Sequence, residues 1–78
     1  MFKTNLRHYR HLAGLTQQEL GVRLGIKDPG STIHGCAEIS FYERGERIPG
    51  LRKARELARI LSEAAGTRVT IDDLFPPA

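Results

Sequence analysis

The side chains able to do chemistry in this 78-residue chain are few, and they point away from catalysis. His8 and His11 lie three apart, where they share one helix face, and His34 with Cys36 forms a His-Gly-Cys triplet. A zinc site takes about four ligands at recognised spacing. Neither CxxC nor HExxH occurs, so no metal and no other cofactor is expected. Asp72 and Asp73 are paired carboxylates, but at the start of a short helix they complement its dipole. There is no Gly-rich phosphate loop and no nucleophile with a motif around it, and no enzyme is expected. What remains is positive charge. Residues 1–27 carry Lys3, Arg7, Arg10, Arg23 and Lys27 against Glu19 alone, and residues 44–55 carry Arg44, Arg47, Arg52, Lys53 and Arg55 against Glu46. From Glu56 onward acidic residues prevail. A net charge of +3 spread this way suits a polyanion held on one side.

The chain has room for one small domain over residues 1–78. Hydrophobic content of 40% with 27% charged residues is globular composition rather than disordered. No apolar run reaches the length of a membrane span, and the amino terminus lacks a signal peptide's apolar region. The single cysteine, Cys36, excludes an internal disulfide and fits a reducing cytosol. A cytoplasmic protein with no membrane partner is expected.

The elements that would position the basic groups are legible from caps and periodicity. Thr16 followed by Glu19 is a capping box, Leu20 and Leu24 share one face, and Gly25 can end the helix in the left-handed region. A short capped helix closed by glycine is how a helix-turn-helix begins, and that motif holds its following helix in a DNA groove. A first helix is predicted from about Thr4 to Ala13, with Leu6, Tyr9, Leu12 and Ala13 as its apolar stripe. Lys27-Asp28-Pro29-Gly30 has loop chemistry. The third helix is predicted to begin between Ser31 and Cys36, nearer Gly35 because glycine costs about 1 kcal/mol inside a helix, and to end at Arg44 before Gly45. A fourth runs from Leu51 to Ala65 on Leu51, Ala54, Leu57, Ala58 and Leu61. A fifth, Ile71 to Phe75, starts from a Thr70–Asp73 box. The expected fold is all-α, a compact bundle of about five helices.

Two stretches, Leu15-Thr16-Gln17-Gln18-Glu19-Leu20 and Ile39-Ser40-Phe41-Tyr42-Glu43-Arg44-Gly45-Glu46-Arg47-Ile48-Pro49, resemble the ends of the Cro/repressor-type helix-turn-helix. A third, Leu57-Ala58-Arg59-Ile60-Leu61 followed by Val69 to Phe75, extends the likeness to nearly the whole chain. The family includes lambda-repressor-like phage proteins and xenobiotic-response-element regulators. Leu20, Leu24 and Ile26 fill the motif's first apolar positions, but the later ones fall on Ile39 and Tyr42 only if about eight residues are added within Lys27 to Glu38. The helix-turn-helix, about residues 16–45, is therefore lengthened before or within its recognition helix.

The resemblance implies double-stranded DNA as partner. It places Cys36, Ala37, Ser40 and Phe41 at exposed recognition positions, and the lengthened segment adds Thr32, His34 and Glu38 as polar base readers. Phosphate contacts are expected from Gln17 and Gln18 at the second helix's amino end and from Arg44 and Arg47 after the recognition helix. Arg7, Arg23, Lys27 and Lys53 are further candidates. Arg10 and Glu43 match a pair that the family buries for structural reasons.

A homodimeric transcriptional repressor on a palindromic operator is the expectation, since one helix reads about half a site. Val69, Ile71, Leu74 and Phe75 are expected to form the dimer interface, being more apolar surface than so small a bundle should bury alone. The rival is an antitoxin-like module that uses the same segment to hold a partner protein such as a toxin. Polymerase is a further protein partner consistent with regulation at a promoter.

Overall fold

Reciprocal caps set the limits of two helices. Thr16 Oγ1 accepts from the Glu19 amide at 3.0 Å, while Glu19 Oε1 accepts from the Thr16 amide at 2.9 Å. The backbone bond, with the hydroxyl bond behind it, holds the exposed Glu19 carboxyl below its usual range. Thr70 and Asp73 repeat the arrangement at 3.1 and 2.9 Å. The computed structural model describes residues 2–25 and 32–77, without the side chains of residues 32–36. It contains α1 (Leu6–Leu12), α2 (Gln17–Leu24), α3 (Thr32–Arg44), α4 (Leu51–Ala65) and α5 (Ile71–Leu74), with no strand among the described residues.

Each helix contributes to one core. Leu6, Leu20, Ile39, Leu57, Leu61 and Leu74 are fully buried, one or two from every helix, around the equally buried Tyr42. Burying a leucine-sized side chain contributes about 1.5–3 kcal/mol, so these residues dominate the fold's stability. α2 packs chiefly on α3, while α4 meets α1, α2 and α5. Gly45 closes α3 at φ +74°. Its amide donates to the Tyr42 carbonyl at 3.3 Å and the Glu46 amide to the Phe41 carbonyl at 3.0 Å, a Schellman ending. A Cβ at Gly45 would overlap the Phe2 carbonyl oxygen, so glycine is required there twice over.

The all-helical bundle stands as read, and α2 and α4 keep their expected limits, but four readings need correction. Leu12 is 55% exposed. It lies about 120° around α1 from Leu6 at 100° per residue, and the slot beside Leu6 is taken by the buried Arg10. Leu51 is 62% exposed, and Ile60 supplies the buried side chain instead. α3 begins at Thr32 and runs through Gly35. Nucleation is charged once per helix, so one glycine does not stop a segment anchored by Ile39 and Tyr42. Finally, Val69, Leu74 and Phe75 belong to the chain's own core, with Ile71 packed against it.

The start of the chain covers α5: the Phe2 and Phe75 rings meet edge to face at 6.1 Å. The Asn5 amide donates to the Leu74 carbonyl at 2.7 Å, and Asn5 Nδ2 to the Asp73 carbonyl at 3.0 Å. Ser62 Oγ on α4 accepts from the Val69 amide at 2.8 Å. Val69, Leu74 and Phe75 therefore spend their apolar surface within one chain, and of the four residues expected at a dimer or partner interface Ile71 alone is half-buried. The large apolar side chains that are exposed among the described residues include Ile48 and Leu51.

Candidate nucleic-acid interface

The helix pair α2–α3 is set against α1 by a polar junction centred on Glu43. Arg10 Nε donates to Glu43 Oε2, and Arg10 NH1 donates to the Leu15 carbonyl at 2.9 Å. Gln17 Nε2 donates to Glu43 Oε1 at 3.0 Å. One carboxylate thus ties α1, the first residue of α2 and the end of α3 together. Both charged side chains are almost wholly buried, at 10% and 6% exposure. Among the described residues no buried side-chain polar atom lacks a partner, as a charge in this position requires.

Beside the junction a cleft of about 270 Å³ opens between α1, α2 and α3. It is lined by Arg7, Arg10, Gln17, Ser40, Glu43 and Arg44. Four residues singled out for contact with nucleic acid, Arg7, Gln17, Ser40 and Arg44, therefore share one concave surface. The amino end of α2 with its positive dipole lies at the same place. Gln17 is half-buried, and its amide nitrogen is already engaged by Glu43, so the junction orients it. Gln18 is exposed on the next position. Arg23 is exposed in the last turn of α2, away from that cleft. Lys53 lines a separate hollow with Arg52, Glu56 and Leu24.

The end of α3 carries a second, solvent-exposed network. Arg44 Nε donates to Glu46 Oε2 at 2.7 Å, and Arg44 NH1 donates to Ser40 Oγ at 2.8 Å. Arg47 NH1 donates to Glu38 Oε1 at 3.1 Å. Both guanidinium groups lie over the Phe41 ring, 5.3 and 4.9 Å from its centroid. Glu38 also accepts from the Tyr42 hydroxyl at 2.6 Å. Burial first, then the bond to Glu38 and its charge, push the Tyr42 hydroxyl well above its usual pKa, with Arg47 opposing.

This network revises the list of expected base readers. Glu38 is occupied by Tyr42 and Arg47 in the protein alone, because it stands one turn before Tyr42 on the same face. Ala37, Ser40 and Phe41 are half-buried on α3, while Ile39 and Tyr42 point into the core. Thr32, His34 and Cys36 lie on the first turns of α3, their side chains outside the described portion, and Lys27 lies outside the described residues altogether. Sequence reasoning missed Glu46 and Glu38 as partners of Arg44 and Arg47. For Glu46 the sequence signal is the alternation of acid and base around Gly45; Glu38, nine residues before Arg47, gives none, and its contact exists only once the left-handed turn folds the chain back. Among the described residues, no three His, Cys, Asp or Glu groups gather to hold a metal, and no helix is long and apolar enough to cross a membrane.

Comparison with known proteins places this geometry in context. The chain is 32% identical over 73 residues to an uncharacterized HTH-type transcriptional regulator of Archaeoglobus fulgidus. The matched stretch covers 94% of this chain and 84% of that protein. No family model matches the chain, and no solved structure does so.

Proposed function

The chain belongs to the helix-turn-helix transcriptional regulators, and we propose that it is a sequence-specific DNA-binding repressor of the Cro/repressor type, acting as a homodimer on a palindromic operator. The observation that carries this reading is the shared cleft: Arg7, Gln17, Ser40 and Arg44 converge where α2 begins and beside α3. A helix amino end with basic side chains around it is suited to backbone phosphate. A neighbouring helix then lies where it can enter a groove about 12 Å wide. Gln17, Gln18, Arg7 and Arg44 take phosphates in this reading, with Arg47, Arg23 and Lys27 as flanking charges. Base edges are met from α3 by Ala37, Ser40 and Phe41, and from its earlier turns by Thr32, His34 and Cys36. Ala37 and Phe41 suit thymine methyl groups, and Ser40, Thr32 and His34 suit hydrogen-bonding edges.

Repression is taken to work by occupancy of a promoter, which asks for no more than the DNA contacts named above. Val69, Leu74 and Phe75 are core, so both the homodimer and the antitoxin-like alternative call for a contact surface other than these three side chains. Selection of bound sites from a random duplex pool tests the proposal. A palindromic consensus whose affinity falls about a log unit per log unit of salt for each phosphate contact is expected. Recovery of no common sequence, or binding indifferent to salt between about 50 and 200 mM, would overturn it.

A further inference from the structure

Arg44 and Arg47 are the basic side chains nearest the end of the proposed recognition helix, yet neither is free. Arg44 is held by Glu46 and Arg47 by Glu38. The two holds differ in kind. Glu38 is anchored a second time by the Tyr42 hydroxyl and is only 20% exposed. Glu46 is 43% exposed, and the carboxylate bonds found for it are to Arg44, at 2.7 and 3.4 Å. Its backbone is nonetheless fixed, because the Glu46 amide is bonded to the Phe41 carbonyl across the left-handed Gly45 turn, which keeps the side chain within reach of Arg44. The Glu46 carboxylate therefore sits on the Arg44 guanidinium much as a phosphate would, offering two oxygens to two N–H groups.

Resting on the DNA-binding reading above, we propose that Glu46 competes with DNA phosphate for Arg44, and so sets how tightly the protein holds any duplex. An exposed pair of this kind contributes about 0–1 kcal/mol, so phosphate displaces it readily. What does not leave is the carboxylate. The Gly45 turn keeps it beside the incoming backbone, where it repels phosphate or retains a cation that would otherwise be released. Both effects weaken binding to operator and random sequence alike, and both flatten the salt dependence. Glu46 is thus an affinity-setting residue acting through Arg44, and it leaves sequence choice to α3.

Glu46→Gln tests this, with Glu63→Gln as a control that removes one exposed carboxylate paired to Arg59 on α4. Duplex binding to operator and to random sequence is measured for all three proteins across a salt series. Glu46→Gln is expected to bind both duplexes about fivefold more tightly, the order of one surface ion pair. Its salt slope should steepen by up to about one unit, and operator preference should stay constant. Glu63→Gln should change affinity less. If Glu46 instead holds Arg44 in place for DNA, Glu46→Gln will bind more weakly, and the competitor role is overturned; unchanged affinity and slope overturn it equally. A wild-type protein that binds no duplex in a salt-dependent way would remove the DNA-binding reading itself, a separate and distinguishable failure.

Discussion

Two arginine–glutamate networks meet at the end of α3 and do opposite work. Arg10 and Glu43 are almost wholly buried, and their remaining polar needs are met by Gln17 and the Leu15 carbonyl. Arg44 with Glu46 and Arg47 with Glu38 stand mainly in solvent, each guanidinium over half exposed. The chemistry is the same, and burial decides its meaning. In the junction a charge cannot exchange partners without entering an apolar surrounding alone, so the pair fixes how α1, α2 and α3 meet. At the end of α3 exchange is nearly free, so the same groups suit contact with a ligand.

The largest effect that would break this contrast is at the junction. Arg10→Met leaves Glu43 buried with only Gln17 beside it and is expected to cost about 3 kcal/mol or more. The double change Arg10→Met with Glu43→Leu removes both charges and should recover much of that loss. Urea unfolding of the four proteins reads the coupling directly. Simple addition of the two single losses would mean that the pair is not the interlock described.

A middle-sized effect lies at the seam, where Glu38 connects the buried Tyr42 to the exposed Arg47. Tyr42→Phe removes one hydrogen bond to a carboxylate and should cost about 1.5 kcal/mol at neutral pH. It should also change the alkaline limb of stability. The folded state raises the Tyr42 pKa above its ordinary value of 10.0, so the protonated hydroxyl favours folding. That contribution is complete below pH 10 and is lost as pH rises from there toward the folded pKa. Stability measured between pH 8 and 11 (roughly the range reachable before general alkaline unfolding) should fall less steeply in Tyr42→Phe than in wild type. Parallel curves would place the tyrosine outside the coupling.

The contrast also separates what residue types announce from what only the fold makes. α2 is readable because its limits are local, a Thr16–Glu19 box and Gly25, and α4 because Ala54, Leu57, Ala58 and Leu61 recur at helical spacing. The faces were less so. Reading only apolar periodicity put Leu12 in the core, because nothing in α1 by itself says that an arginine fills that slot. The Arg10–Glu43 pair came from family likeness, and its third member, Gln17, was assigned to phosphate alone. Val69, Leu74 and Phe75 were misplaced because their cover comes from Phe2 and Asn5, at the far end of the sequence. The carboxylates on Arg44 and Arg47 depend on a left-handed turn's geometry, which residue types announce but do not draw.

The smallest stability effect is the most informative about function. Arg44→Ala removes the bonds to Ser40 and Glu46 and one cation over Phe41, all at the surface. Double-mutant measurements of exposed pairs centre below about 1 kcal/mol, and the freed Glu46 is hydrated at once, so a loss near 0.5 kcal/mol is expected. Duplex affinity should move far more than stability does. If Arg44 meets a phosphate, its removal weakens binding to every sequence and lowers the salt slope by about one unit. The corresponding loss at Arg10 runs the other way: stability falls first, and binding follows only through the fraction of molecules folded. Measuring both quantities for both variants separates the two networks by their ratio. An Arg44→Ala protein that lost stability and binding in step, as Arg10→Met should, would make the exposed network another structural interlock and withdraw it from the interface.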